Sequence, residues 1–143
     1  MNSDCVFCKI ANGEAWAAKV YEDTAHIAFM DIRPMSIGHT LVAPKKHYAY
    51  IFDMPDEEVG RLYSIAAKVA KAVKQSINPP GLNLLQNNGS AAGQVIFHVH
   101  VHIIPRHEGD ASKFKSGHGR IDASRRELEE TARRIREALG DVP

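Results

Sequence analysis

The sequence has few of the features that mark a membrane protein or a nucleic-acid-binding protein. No apolar run approaches the roughly 20 residues that a transmembrane helix needs. The formal net charge is only +1 at pH 7, so no strong positive field would attract nucleic acid or an anionic membrane. We therefore expect neither a membrane nor a nucleic acid as a partner.

Cysteine is scarce as well: the chain has two, Cys5 and Cys8, against eight histidines. Residues 1–5 do not show the basic and then apolar layout of a secretory signal peptide. We therefore expect a cytoplasmic protein, in which a reducing environment disfavours disulfides. With 143 residues, 44% of them hydrophobic and 24% charged, the chain has the composition of one globular domain.

The strongest pattern present is a row of alternating histidines. His98, His100 and His102 are separated by single valine residues, and isoleucine follows the row. This period of two predicts a β-strand, which we expect over residues 95–104. All three imidazoles then share one face of the strand, and the aliphatic side chains share the face that packs in a core.

Such a row suits either a metal ion or catalysis. Neighbouring histidines on a strand lie about 6.6 Å apart, so one zinc ion, with bonds of about 2.1 Å, reaches two of them but hardly all three. In catalysis, one ring attacks and its neighbours hold charge. A row of surface histidines is the third interpretation, and the glycine-containing turn just before the row disfavours it.

The rest of the sequence predicts the other helices and strands and one unusually long loop. Residues 87–94 form a linker that is longer than a hairpin needs, and Gly93 permits a close backbone approach to an anion. We predict a short helix at 5–13, strands at 18–22, 25–31, 39–43 and 82–86, and a long helix at 56–77. After a loop at 106–122, a terminal helix begins at the capping box of Ser124 and Glu127 and ends at Gly140.

The Cys5-x-x-Cys8 pair has three interpretations on the residues alone. A redox motif would follow a strand, yet only four residues precede Cys5. Two inert core cysteines are the second interpretation. A structural zinc site is the third, and it is favoured because histidine partners are plentiful.

Residues 98–104, His-Val-His-Val-His-Ile-Ile, match every position of the histidine triad (HIT) signature. Residues 31–47 and 87–94 are also similar to that family, and the likeness covers about residues 4–107. The resemblance implies an α+β fold, with a five-stranded antiparallel sheet, one long helix, a short N-terminal helix and a C-terminal helix. We expect residues 1–143 to form a single HIT domain, with the loop and helix at 108–143 added to its core.

The resemblance implies a nucleotide hydrolase or transferase that attacks an α-phosphorus. His100, the middle ring, would form a covalent nucleotidyl-histidine intermediate, which water then hydrolyses. His102, Gln94 and the N–H groups near Gly93 would stabilise charge on the phosphoryl oxygens. In relatives, a histidine at the position of His39 supports the triad, and no metal is needed for the chemical step.

The resemblance also assigns residues to the nucleotide. Two apolar walls for a purine base are implied, formed by Phe7 and Ile10 on one side and by Phe29 and Ile32 on the other. Asp31 would accept hydrogen bonds from the ribose hydroxyls, although the residues alone fit a turn-capping aspartate equally well. Asn87 would position the phosphate. Some relatives bind the phosphate through a hydroxyl residue at position 95, where this chain has Val95 and only a backbone N–H.

By the same resemblance, structural zinc would be held by Cys5, Cys8, His47 and His98. His98 would then be structural first and catalytic only by its position in the row. A homodimer, with two sheets joined edge to edge, is implied by the resemblance alone.

The expected substrates are purine nucleoside phosphoramidates or dinucleoside polyphosphates. Two alternatives belong to other classes: a nucleotide-binding regulatory module with little turnover, and a metal-dependent hydrolase that uses the histidine row.

Overall fold

The computed structural model describes residues 4–111 and 119–140 and confirms the expected α+β fold. Its sheet has five antiparallel strands in the order β1-β2-β3-β5-β4. The strands are β1 (Lys19–Glu22), β2 (His26–Met30), β3 (Thr40–Pro44), β4 (Gly81–Leu85) and β5 (Val101–Arg106), and the helices are α1 (Val6–Ala11), α2 (Asp56–Ile77) and α3 (Arg125–Leu139). Single 3₁₀ turns occur at Ile51–Asp53 and Ser90–Ala92. Part of the loop expected at 106–122 lies outside the described residues.

The two faces of the sheet have different coverings. One face packs against α2 and α3 through a large apolar core, which includes Leu62, Val73, Val101 and Ile135. The other face carries a smaller cluster in which Phe7 and Ile10 of α1 pack against residues of β2 and β3. Because α1 is only six residues long, it leaves part of that second face uncovered, and the uncovered part forms a cavity.

The alternation of the histidine row is confirmed, but the predicted strand at 95–104 begins too early. Val99, Val101 and Ile103 are fully buried on the α2 side, as the pattern requires. The strand itself starts only at Val101, so His98 and His100 precede it. The pairing of β5 with β3 starts at Val101, opposite Val42, and the Val99 N–H donates to the Tyr48 carbonyl instead, at 2.8 Å. The chain therefore leaves the sheet before Val101, and the three rings point to different partners.

The two long helices form as the sequence predicts. Asn78, in a left-handed conformation, ends α2, and the capping box of Ser124 and Glu127 begins α3. Arg136 of α3 donates to the Lys19 carbonyl on β1 at 2.6 Å, which ties the helix to that edge of the sheet. Among the described helices, none is both long and apolar enough to cross a membrane.

Candidate active site and metal cluster

A cavity of about 910 Å³ opens on the sheet face that α1 leaves uncovered. Its volume is in the range of sites that bind small molecules. Every residue predicted to contact a nucleotide lines it: Phe7, Ile10, Phe29, Asp31, Ile32, Asn87, Gly93, Gln94 and Val95. His39, His100 and His102 line it as well, whereas His98 and His47 do not.

The apolar end of the cavity is built around Phe7. The ring of Phe7 meets the ring of Phe29 edge to face, with centroids 5.2 Å apart. It meets the His100 imidazole in the same way at 4.9 Å. Ile32, on the predicted opposite wall, is 62% exposed, so it contributes an open rim. Such apolar surfaces suit a flat aromatic ligand.

The hydrogen bonds of His100 determine which of its nitrogens can react. The His100 Nδ1 lies 2.7 Å from the His98 carbonyl oxygen. A carbonyl only accepts, so Nδ1 carries the proton and donates it. Nε2 of the neutral ring therefore keeps its lone pair, and it belongs to a side chain that lines the cavity. This is the tautomer that a nucleophilic histidine requires.

A second chain of hydrogen bonds determines the tautomer of His102. The Met35 N–H donates to His39 Nδ1 at 3.0 Å, so a neutral His39 carries its proton on Nε2. That Nε2 donates to His102 Nδ1 at 2.9 Å. His102 consequently carries its own proton on Nε2, as a hydrogen-bond donor on the cavity side of the sheet.

Burial keeps all these rings neutral. Loss of solvent lowers the pKa of His39 to about 4 and the pKa of His98 to about 4. Burial, together with the neighbouring His100 and His39, lowers the pKa of His102 to about 3. Burial also lowers the pKa of His100. Neutral imidazoles at pH 7 are consistent with a nucleophile and with neutral hydrogen-bond donors.

The loop at 87–95 is held by Gln94, whose donors are used within the protein. Its Nε2 donates to the carbonyls of Ala49 and Ile96 at 2.8 and 3.1 Å. Its Oε1 accepts from the Gly89 N–H at 2.7 Å, and its backbone N–H donates to the Gly89 carbonyl. The Gly93 N–H donates to the Ser90 carbonyl in the same loop. Neither residue thus has a donor left for a ligand.

Two other hydrogen-bond donors of that loop, the Val95 N–H and the Asn87 side-chain amide, are not used within the loop. Within residues 4–111 and 119–140, no acceptor is found for the Val95 N–H or for the Asn87 side-chain amide. Both residues line the cavity. The donors available to a ligand anion are therefore those of Val95 and Asn87, because the loop itself consumes those of Gly93 and Gln94.

Asp31 sits at the polar end of the cavity beside an arginine that the sequence pattern did not reveal. Arg120 lies 3.0 Å from the Asp31 carboxylate, across 89 positions of sequence. The segment that carries Arg120 was predicted only as a loop, and nothing in its local pattern indicated a contact with β2. Only the tertiary structure brings this segment to the cavity, where the Ile121 N–H donates to the Pro34 carbonyl.

A second cluster lies behind the row, where Cys5, Cys8, His47 and His98 converge. Tetrahedral zinc with ordinary bond lengths places its ligand atoms about 3.4–3.8 Å apart. The two imidazole Nδ1 atoms are 3.2 Å apart, and the thiol-to-imidazole distances are 3.3, 3.4 and 3.6 Å. The residues present therefore fit a zinc ion, as the Cys₂His₂ prediction requires.

The tautomer of His98 is also the one that zinc binding requires. Its Nε2 donates to the Pro44 carbonyl at 2.8 Å, so Nδ1 is left unprotonated and faces the two thiols. Metal-bound histidines commonly donate their other N–H to a carbonyl in this way.

A third group, Asp31, His39 and His102, also brings ligand atoms together but does not fit a metal. His39 Nε2 carries the proton that it donates to His102, so it has no lone pair for an ion. The Arg120 guanidinium already provides a positive charge at Asp31. The three rings of the row also have separate partners, which argues against one metal held by the row.

Comparison with known proteins identifies the family to which the chain belongs. The family model described as HIT domain matches residues 12–109. An uncharacterised HIT-like protein of Methanocaldococcus jannaschii is 49% identical over 113 residues, which cover 79% of this chain and 87% of that protein. An adenylylsulfatase of Arabidopsis thaliana is 44% identical over 110 residues, 77% of this chain and 56% of that protein.

Among solved structures, a zinc-bound histidine triad family protein from Mycobacterium smegmatis has a TM-score of 0.83 at 40% identity, covering 96% of this chain and 94% of that one. The chain belongs to the HIT family. Members of this family are nucleotide-binding hydrolases and transferases.

Burial of neutral histidines predicts that stability falls in mild acid. The pKa of His39 drops from 6.5 to about 4 on folding, so the unfolded chain binds more protons between these values. Neutral His39 therefore contributes on the order of 3 kcal/mol to the free energy of unfolding. This contribution is complete above about pH 6.5 and is lost as the pH falls through about 4. Urea unfolding of wild type and His39→Gln at pH 7 and pH 4 measures it. The variant should lose less stability on acidification, and equal losses would contradict this assignment.

Proposed function

We propose that this protein is a purine nucleotide hydrolase or transferase that attacks the α-phosphorus through His100. The observation that carries the proposal is the 2.7 Å hydrogen bond from His100 Nδ1 to the His98 carbonyl. It leaves Nε2 as the nucleophilic nitrogen at the wall of a cavity large enough for a nucleotide. Family membership supports the reaction class, whereas the covalent step and the substrate are part of the proposal.

In the first step, the Nε2 lone pair of His100 forms a bond to phosphorus while the bond from phosphorus to the leaving group breaks. The departing atom takes the electron pair, and an amine leaving group also takes a proton from the medium. We assign the His102 Nε2–H to stabilising the negative charge that develops on the phosphoryl oxygens. The attacking ring becomes positively charged but keeps its Nδ1 proton, which the His98 carbonyl holds. In the second step, water attacks phosphorus, loses a proton to the medium and releases the nucleotide from His100.

The proposed phosphate donors differ from those expected from the sequence. The Val95 N–H and the Asn87 side-chain amide have N–H groups that no described protein acceptor uses, so we assign them to the phosphoryl oxygens. Gln94 is assigned to holding the loop, since both of its side-chain N–H groups already bind carbonyls. His39 orients His102 through its Nε2. Phe7, Ile10, Phe29 and Ile32 are assigned to the base, and Asp31 to the ribose.

Nucleoside phosphoramidates and dinucleoside polyphosphates are the proposed substrates. Both carry a nucleotidyl group whose α-phosphorus bears a leaving group, and the attack on phosphorus is the same in each. The relative named an adenylylsulfatase supports adenylyl compounds as a class.

Replacing His100 with asparagine should abolish turnover without unfolding the protein. Asparagine cannot act as the nucleophile, so we expect a loss of at least about 10³-fold in kcat. Hydrolysis of adenosine phosphoramidate and diadenosine tetraphosphate by wild type and His100→Asn measures this. Mass spectrometry of the wild-type protein during turnover should show a transient nucleotidyl adduct on His100.

The matched control is His107→Asn, which replaces an exposed histidine beyond the end of β5 and should keep full activity. Full activity of His100→Asn would overturn the nucleophile assignment. Nucleotide binding with negligible turnover by the wild type would instead indicate a regulatory binding module.

We propose that structural zinc occupies the Cys5, Cys8, His47 and His98 cluster in a reducing, cytoplasmic compartment. The ion would join α1 to the segment that carries His98, and zinc bound to the folded state stabilises it. The chemical step does not use it, since His98 faces the cluster and not the cavity.

Replacing Cys8 with serine should remove bound zinc and lower the melting temperature, because a neutral hydroxyl is a much poorer ligand than a thiolate. Elemental analysis and thermal unfolding measure the two effects, with Ser90→Ala in the 87–95 loop as a control that keeps its zinc. A chelator that abolishes turnover while the protein stays folded would contradict a purely structural role and favour a metal-dependent hydrolase.

We also propose a homodimer formed along β4. This strand is one edge of the sheet, and it exposes Leu84 and Leu85 to 44% and 47%. The opposite edge, β1, is partly covered by Arg136 of α3. An open apolar edge is the usual place for a second sheet to pair.

Sedimentation of the wild type should therefore give about twice the 15.8 kDa chain mass. Leu84→Glu places a charge in the proposed interface and should give a monomer. Ile37→Glu, at an exposed apolar position outside β4, serves as the control and should remain dimeric. A monomeric wild type would overturn this proposal.

A further inference from the structure

Arg120 and Arg33 enclose the Asp31 carboxylate in a closed ring of hydrogen bonds. The Arg33 N–H donates to Asp31 Oδ1 at 2.9 Å. The Arg120 guanidinium donates to Asp31 Oδ2 at 3.0 Å and to the Arg33 carbonyl at 2.7 Å, both through the same nitrogen. Two bonds therefore hold the carboxylate, one on each oxygen, and the third holds Arg120 in place against the Arg33 carbonyl. Neither carboxylate oxygen can rotate away without breaking a bond.

The backbone delivers Arg120 to this position. The Ile121 N–H donates to the Pro34 carbonyl at 2.8 Å, which fixes the chain one residue beyond Arg120. The Arg120 side chain is 38% exposed and lines the cavity together with Asp31, whose side chain is 12% exposed. The contact is thus part of the cavity wall, with Asp31 largely buried and Arg120 partly open to solvent.

The Asp31 carboxylate keeps acceptor positions that Arg33 and Arg120 do not use. An ionised carboxylate has about four lone-pair positions, two on each oxygen. One position on each oxygen is used, by the Arg33 N–H and by Arg120. His39 Nε2 is 3.6 Å from Oδ2 and gives its proton to His102, so it uses none. One open position remains on each oxygen, which matches two adjacent hydroxyl donors.

We infer that Arg120 is a positioning residue that orients Asp31 for the 2′- and 3′-hydroxyls of a ribonucleotide. It makes the pocket selective for nucleotides that carry both hydroxyls. This inference rests on the proposed function, since it takes the cavity as a nucleotide site. Arg120 acts through Asp31 and leaves the chemistry at His100 unchanged.

Calorimetric titration with two product-like ligands tests the inference without turnover. Adenosine monophosphate has both hydroxyls, and 2′,3′-dideoxyadenosine monophosphate has neither. Arg120→Ala should raise the Kd for adenosine monophosphate by about tenfold, because hydrogen bonds to a charged group are lost. The Kd for the dideoxy ligand should change by less than about twofold. Arg120→Lys keeps the charge but not the planar guanidinium and should fall between the two.

Kinetics on adenosine phosphoramidate provide a second readout. Arg120→Ala should raise KM by a similar factor and leave kcat nearly unchanged. The control is Arg126→Ala, an exposed arginine on α3, which should match wild type with both ligands. In an Asp31→Asn background, Arg120→Ala should have little further effect on binding, since the two residues act as one unit.

Four results would overturn the inference. Equal weakening of both ligands by Arg120→Ala would show a role in the fold of the cavity alone. Tighter binding of adenosine monophosphate would show that Arg120 competes with the ribose. If Arg120→Ala fails to fold, the lysine variant decides, and an unchanged preference between the ligands counts against the inference. A wild type that binds neither ligand would refute the proposed function itself, and this inference with it.

Discussion

His98 is the residue on which both sites depend, because three of its atoms have three different sets of partners. Its Nε2 donates to the Pro44 carbonyl, its Nδ1 faces the thiols of Cys5 and Cys8, and its backbone carbonyl accepts from His100 Nδ1. The metal cluster and the proposed nucleophile are therefore joined by one residue. A shift of His98 would alter the ligand geometry and the tautomer of His100 together.

Hydrogen bonds also fix the proton positions of the three histidines that line the cavity. A backbone N–H sets the tautomer of His39, which sets that of His102, while a backbone carbonyl sets that of His100. Burial keeps the rings neutral, since removing solvent penalises the charged form. The site thus needs no charged side chain at the proposed nucleophile, and the charged pair of Asp31 and Arg120 stands at the other end of the cavity.

Much of the fold and part of the site followed from local pattern. The alternation of histidine with valine correctly assigned Val99, Val101 and Ile103 to the core. The start of β5 was wrong because a strand needs a paired neighbour, and the pairing with β3 begins only at Val101, opposite Val42. Gln94 was expected to bind phosphate through its amide, but the loop it holds uses both N–H groups. Which donors a loop consumes internally cannot be read from its composition.

The sequence by itself determined the elements, the core face and the residue types that chemistry requires, because these depend on neighbours a few positions apart. The spacing of Cys5 and Cys8 indicated a possible metal pair, and the triad matched a family signature along one continuous segment. Only the tertiary structure decided which atoms meet. Arg120 reaches Asp31 across 89 positions, and His47 reaches His98 across 51. Such contacts depend on how the helices dock on the sheet, and docking is a property of the whole core.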